Sequence, residues 1–292
     1  MPPVQVRGEV LAVKQIGAYI SMTVVATGIA EQTRPGQFVA VAVGGDDGSM
    51  LLRRAFSIYQ VASRGVYGGT VEFIFAAHGK GTTWLAHRRP HDPIDVVGPL
   101  GRPFSLPKDP ANCVLVGGGY GSAPLFMLAE ALRNRGCRVD FVLGAASQDR
   151  MFGALDAKRM AQSVAFTTDD GSFGEQGRVS DALPEVIDRV HADVVYACGP
   201  MPMLEAVYAV SAAAYDGAGI PTQLAVEESM ACGIGVCMTC VLPVIDDEGQ
   251  TRMMRSCVEG AVFAGDRIRW DSLGTVPADA VGAASMSVAA ND

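Results

Sequence analysis

Cys232-Gly-Ile-Gly-Val-Cys237-Met-Thr-Cys240 gathers three of the chain's seven cysteines, and Cys257 follows sixteen residues further on. The spacing is C-x4-C-x2-C-x16-C. Its first three members match the plant-type spacing that holds a [2Fe–2S] cluster. A short loop that wraps a compact charged object must bring its thiolates together without collisions, and Gly233 and Gly235 relieve that crowding. They also let backbone N–H groups approach the sulfides. If residues 241–256 fold back as a hairpin, Cys257 returns as the fourth ligand. A zinc site is the main rival, although zinc sites usually show two C-x2–4-C knuckles and only one is present. Disulfides, or four structural thiols meeting by chance, are further readings. Cys113, Cys137 and Cys198 lie in or beside apolar runs and read as small buried hydrophobes.

Two glycine-rich turns suit a nucleotide. Gly117-Gly-Gly-Tyr-Gly121 follows an apolar run and precedes a helical stretch, a setting in which small residues let a pyrophosphate approach the backbone. A tight strand–helix turn is the alternative. Cys198-Gly199-Pro200 ends a later apolar strand and opens the next helix. Parallel strands put their C-terminal ends on one edge, so both turns can line one crevice. Nearer the N-terminus, Arg53-Arg-Ala-Phe-Ser57 offers guanidinium groups, a flat ring and a hydroxyl on one strand, with Arg54 and Phe56 on a shared face. By itself it reads equally as a solvated arginine pair beside a core phenylalanine. Gly79-Lys-Gly-Thr82 opens a short helical stretch and could hold a pyrophosphate. No Ser/His/Asp or paired-carboxylate arrangement stands out, so no catalytic side chain is assigned. His78, His87, His91 and His191 read as surface or structural, and Glu227-Glu228 as a solvated pair or a partner contact.

The elements that must position these groups fall into three units. Residues 1–107 read as short β-branched strands without intervening helices, which predicts an antiparallel barrel or sandwich, the barrel being the expected form. Residues 108–220 alternate apolar strands with helical periods, which predicts a doubly wound parallel domain. Residues 221–270 form a small module holding the cysteine quartet, with a hairpin turn at Asp246–Gln250. Residues 271–292, rich in Ala, Gly and Ser, read as a mobile tail. The chain has 292 residues, is 49% hydrophobic and carries a net charge of −8. That composition supports a packed core, and the acidic balance opposes nucleic-acid binding. The apolar windows are too short to cross a bilayer. The N-terminus shows no basic segment followed by a long apolar run, so the expected location is the cytoplasm, where structural disulfides are rare.

Taken in order, the motifs resemble the ferredoxin–NADP reductase superfamily, and within it the branch of dihydroorotate dehydrogenase electron-transfer subunits. The resemblance covers about residues 4–270. It rests on Arg54-Ala-Phe-Ser57, Gly79-Lys-Gly-Thr82, Gly117–Pro124, Thr168-Asp-Asp-Gly-Ser-Phe-Gly174, Cys198-Gly-Pro-Met-Pro-Met203 and the four thiols. It implies FAD, a [2Fe–2S] cluster and NAD as cofactors. Arg54 would neutralise the FAD pyrophosphate, Phe56 would pack on the isoalloxazine, and Ser57 would hydrogen-bond near flavin N5. Ala55 lies between them. Gly81 and Thr82 would hold the pyrophosphate. Ile74, Phe75 and Ala76 would flank the flavin; the family often carries an arginine where this chain has Ala76. Gly117, Gly118, Gly119 and Gly121, with Cys198, Gly199 and Pro200, would seat the nicotinamide nucleotide. Cys232, Cys237, Cys240 and Cys257 would hold the cluster. The implied activity is electron transfer between NAD and an FMN-containing catalytic subunit, in a heterotetramer of the pyrimidine pathway. Other NAD(P)H:acceptor reductase subunits share the same domain order. A non-enzymatic module that binds nucleotide and zinc is the third reading. Arg150, after the second strand of the nucleotide domain, could meet a 2′-phosphate, so the choice between NAD and NADP rests on the resemblance alone.

Overall fold

The computed structural model describes residues 2–45, 50–62, 66 and 68–283. Six antiparallel strands close a barrel: β1 (Val4–Ile16), β2 (Tyr19–Val25), β3 (Phe38–Val41), β4 (Arg54–Ala62), β5 (Thr70–Phe75) and β6 (Pro93–Leu100). Their spatial order is β1-β2-β5-β4-β3-β6. The alternation expected of a strand with one wet face is clear in the first part of β6, where Ile94, Val96 and Gly98 are buried and Asp95 and Val97 partly exposed. Met22, Val24, Val39, Val41, Ile58, Val71 and Phe73 fill the barrel. Among the described residues the one α-helix of this unit is α1 (Lys80–Ala86), which follows β5 and buries Leu85.

The second unit is a doubly wound sheet. Its strands are β7 (Asn112–Gly118), β8 (Arg138–Ala145), β9 (Ser163–Thr168), β10 (Glu175–Gln176) and β11 (Val194–Cys198), interleaved with α2 (Ala123–Asn134), α3 (Ala154–Met160), α4 (Val179–Val190) and α5 (Met201–Ala213). Cys113-Val-Leu-Val116 is fully buried because helices cover both faces. Leu125, Phe126 and Leu128 of α2 pack on one face. Leu183 and Ile187 of α4 and Leu204 and Val207 of α5 pack on the other.

The sheet does not stop at residue 220. Beyond β11 it takes β12 (Thr222–Ala225) in parallel and then β15 (Val262–Ala264) antiparallel, giving the order β10-β9-β8-β7-β11-β12-β15. Both added strands come from the stretch read in sequence as a separate module. What remains apart is the hairpin of β13 (Val241–Ile245) and β14 (Thr251–Arg255) and the cysteine loop before it. Asp246 builds the expected turn by accepting from the N–H groups of Glu248 and Gln250. Part of the expected tail is packed: Ala280 is buried, Val281 N–H donates to Thr251 O at 2.9 Å, and Asp279 pairs with Arg269 at 2.9 Å. Residues 284–292 of that tail lie outside the described residues. No described helix is long and apolar enough to cross a membrane.

Candidate functional site

A cavity of about 380 Å³ opens where the barrel, the nucleotide sheet and the cysteine loop meet. From the barrel it is lined by Arg54, Ala55, Phe56 and Ser57 of β4, by Ile74, Phe75 and Ala76, and by Gly81 and Thr82. All nine barrel residues that the sequence resemblance singled out therefore come together. A Cβ on Gly81 would lie 2.9 Å from Arg54 Nε, so a glycine is what lets the guanidinium lie across the start of α1. Phe56 borders the cavity, and its ring stacks on Phe73 at 4.8 Å within the barrel core. The Thr82 hydroxyl accepts from the N–H groups of His78 and Gly79, both at 3.1 Å, and so shapes the turn at the helix start where a pyrophosphate is expected. Ala55 and Ser57, both exposed, alternate with Phe56 and present their side chains outside the barrel. Arg53 points elsewhere, pairing with Asp95 at 2.7 Å to tie β4 to β6.

The nucleotide turns face the same cavity. Gly121, Cys198 and Gly199 line it. A Cβ on Gly121 would lie 3.0 Å from Gly199 Cα, so the two turns touch backbone to backbone, as the parallel-strand argument required. Gly117 and Gly118 serve that contact rather than the cavity. A Cβ on Gly118 would meet Met203 Sδ at 2.7 Å and Pro200 Cδ at 3.2 Å, and one on Gly117 would meet Leu143 Cδ2 at 2.9 Å. Gly119, with φ of +53°, makes the turn itself. Burial pushes the Cys198 thiol far above the ordinary thiol range, and Glu227 adds to the effect, so this cysteine is a neutral wall.

In the cysteine loop the four thiols fall into two sets: Cys232 is half-buried and Cys237 exposed, whereas Cys240 and Cys257 are buried in one apolar cluster. The Ile234 and Val236 N–H groups donate to Cys232 Sγ at 3.4 and 3.3 Å. The Thr239 hydroxyl donates to Cys237 Sγ at 3.1 Å, and with the Thr239 backbone it holds that thiol down at about 6. Burial pushes Cys257 up to about 12. Gly233 and Gly235 adopt φ of +72° and +85°, the left-handed backbone that wraps N–H groups around sulfur. Among the described residues no three or more His, Cys, Asp or Glu side chains gather where one metal ion would sit. Backbone N–H donors at the Cys232 sulfur and left-handed glycines beside it suit a cluster that carries its own sulfides better than a single tetrahedral zinc.

Several site residues were not singled out in the sequence. Tyr120, His78, Lys80, Met230 and Phe38 line the cavity, as do Glu227 and Glu228, read earlier as a solvated pair or a partner contact. Burial raises the Glu228 carboxyl above its ordinary value. Phe38 and Met230 also pack with Cys240, Cys257, Ala40 and Leu100, so one apolar wall separates the cavity from the buried thiol pair. Only the long-range packing of β3 against the cysteine loop reveals it.

Comparison with known proteins agrees with this geometry. The family profile "Iron-sulfur cluster binding domain of dihydroorotate dehydrogenase B" matches residues 227–269, and "Oxidoreductase NAD-binding domain" matches residues 115–209. The chain is 39% identical to the dihydroorotate dehydrogenase B (NAD(+)) electron transfer subunit of Geobacillus thermodenitrificans, over 80% of this chain and 86% of the relative. It is 35% identical to the same subunit of Desulforamulus reducens, over 83% and 89%. Among solved structures it resembles a chain of an NADH-dependent reduced ferredoxin-NADP oxidoreductase, with 28% identity, a TM-score of 0.77 and 97% coverage of both chains. A ferredoxin NADP+ reductase of Neisseria gonorrhoeae with bound FAD and NADP shares the fold at 15% identity, with a TM-score of 0.58 and coverage of 76% of this chain and 98% of that one. The chain thus belongs to the family of dihydroorotate dehydrogenase B electron transfer subunits.

Proposed function

We propose that this chain is an oxidoreductase subunit that carries electrons between NAD and a separate dihydroorotate-oxidising catalytic subunit, using FAD and a [2Fe–2S] cluster. When bound, the flavin exchanges a hydride with the nicotinamide and single electrons with the cluster, which is the chemistry a side chain does not supply. The protein's part is placement. Arg54 neutralises a pyrophosphate and Ser57 offers a hydroxyl beside the ring system. Ala55, Ile74, Phe75 and Ala76 give it an apolar bed. Gly121, Cys198 and Gly199 admit the nicotinamide to the same cavity, and Cys232, Cys237, Cys240 and Cys257 hold the irons. The observation that carries the reading is the wall shared by Phe38 and Met230, which puts the nucleotide turns, the flavin cavity and the thiols in one continuous line.

NAD rather than NADP fits a shallow pocket at the ends of β8 and β9. Ser147, Asp149, Asp170 and Ser172 line it, and two carboxylates there oppose a 2′-phosphate. The Ser172 hydroxyl, donating at 2.6 Å, holds Asp170 below the usual carboxylate range and keeps it charged. The face for the partner is the outside of the cysteine loop, where Val236 is 76% exposed and Ile234 and Met238 about half exposed. Apolar residues so grouped mark an interaction surface. We take the partner to be FMN-containing and the assembly to be a cytoplasmic heterotetramer.

Anaerobic purification should give a coloured protein with one FAD and two irons per chain, EPR-active once reduced. Pull-down should capture a dihydroorotate-oxidising flavoprotein, and Val236→Asp should weaken that capture. Zinc without iron or flavin would reject the reading. Capture of a different acceptor enzyme would redirect it to the ferredoxin-linked reductases.

A further inference from the structure

A shallow cleft at the seam between the barrel and the nucleotide domain gathers arginines that the electron-transfer reading does not use. Its volume is about 590 Å³, within the range of roughly 300–1,000 Å³ that takes a small ligand. Arg34 comes from the turn before β3, Arg102 from the segment after β6, and Arg135 from the end of α2. Among the described residues no aspartate or glutamate lines the cleft. Among those residues, too, the Arg34 and Arg102 side chains have no hydrogen-bond or ion-pair partner. Arg135 donates from Nη1 to Pro107 O at 2.9 Å and keeps its other N–H groups. Like charges so gathered repel one another, on a chain whose net charge is −8. An anion in the cleft relieves that repulsion.

The backbone that carries these arginines is fixed in advance. Arg34-Pro35-Gly36-Gln37 closes a β-turn, with Gln37 N–H donating to Arg34 O at 3.2 Å. Gly36, with φ of +92°, takes the left-handed position that follows proline in type II turns. The buried Gln37 side chain accepts from Arg34 N–H at 2.8 Å and donates to Gly101 O at 2.9 Å. It thereby ties the Arg34 turn to the residue before Arg102. Arg102 N–H donates to Gly260 O, and Phe104 N–H to Pro35 O at 2.9 Å. Pro35, Phe104 and Leu106 give the cleft an apolar lining. Only the guanidinium arms remain to be ordered when a ligand arrives, which keeps the entropic cost of binding low. A guanidinium presents a planar fork of N–H donors that matches paired phosphate oxygens, and three such forks suit a chain of phosphates rather than a single charge. The cleft shares no lining residue with the cofactor cavity.

We propose that the Arg34–Arg102–Arg135 cleft binds the phosphate chain of a small phosphorylated molecule and so clamps the barrel to the nucleotide domain. Pyrophosphate is the probe. The full chain as purified is titrated by calorimetry with NAD+ in excess, so that the nucleotide turns are filled, and with sodium chloride at matched ionic strength as the control. One saturable pyrophosphate per chain is expected. Arg34→Ala and Arg102→Ala, both at exposed positions, should each weaken it about tenfold, the size of one charge-assisted contact. The KM for NADH should stay unchanged in both. Arg34→Lys should restore only part of the affinity, because an ammonium keeps the charge and lacks the fork. Absence of saturable binding, equal affinity in the alanine variants, or an effect that sodium chloride reproduces overturns the site. Citrate bound as tightly as pyrophosphate rejects phosphate as the ligand class. Variants that lose the catalytic subunit in a pull-down while keeping their pyrophosphate affinity also overturn it, since the arginines would then face a protein.

Discussion

The flavin cavity and the cysteine loop meet at Phe38, yet they are built in opposite ways. The cavity wall is regular structure. Arg54–Ser57 of β4 pair with β3, and Ile74 and Phe75 of β5 are buried and pair with Ser21 and Ile20 of β2. Its shape follows from barrel closure and exists before any ligand arrives. Residues 226–240 contain no helix or strand. Their course depends on left-handed backbone at Gly233, Gly235 and Met238 and on donors that reach the Cys232 and Cys237 sulfurs. One region is a preformed receptacle; the other takes its order from the object it grips.

Mutations can break that contrast. The largest effect is expected from Cys257→Ser, which removes a buried member of the second thiol pair. Iron content should fall to a small fraction of wild type while FAD binding persists, and hydrogen exchange should rise across 226–240 but not in β4 or β5. Loss of both cofactors together would mean the two regions fold as one. Next comes Phe38→Ala, which opens the shared wall. A buried phenylalanine lost to alanine costs about 3 kcal/mol, so thermal unfolding should shift clearly, and this is the one change expected to disturb FAD and iron alike. Gly81→Val should act on one side only. Its side chain displaces Arg54, and loss of a charge-assisted contact of about 1.5 kcal/mol weakens FAD about tenfold with iron unchanged.

The smallest expected effect is in pH dependence. Glu228 has its folded pKa raised from 4.5 by burial. Its contribution to stability is therefore full below that ordinary value and is lost as pH rises through the folded value. Glu228→Gln should match wild type near pH 4 and be slightly more stable at pH 7, because the buried side is then never charged. An identical pH profile in both proteins would place Glu228 in water.

Much of this was legible in the sequence because it is local. The C-x4-C-x2-C spacing, the buried Cys113–Val116 run with its glycine turn, and the motif Arg54–Ser57 each lie within a dozen residues. What escaped depends on contacts between distant segments. β12 and β15 look like module strands until β15 returns to pair with β12 across 36 residues of intervening chain (226–261). Phe38 carries no motif and matters only because the cysteine loop lands on β3. A motif also does not say which way a ring turns or whether a hydroxyl already has a partner, as at Phe56 and Thr82. Glu227 is exposed, as its sequence suggests, while its neighbour Glu228 is half-buried at the cavity.

The placement of β12 and β15 has a mechanical consequence. The cysteine loop leaves the nucleotide sheet at Ala225, lies against the barrel at Ala40 and Leu100, and rejoins the sheet at Val262. It is a strap fastened at both ends to one body and pressed on the other. Any swing of the sheet away from the barrel would have to pull Cys240 and Cys257 off Phe38, Ala40 and Leu100, so the buried thiols themselves latch the two bodies together.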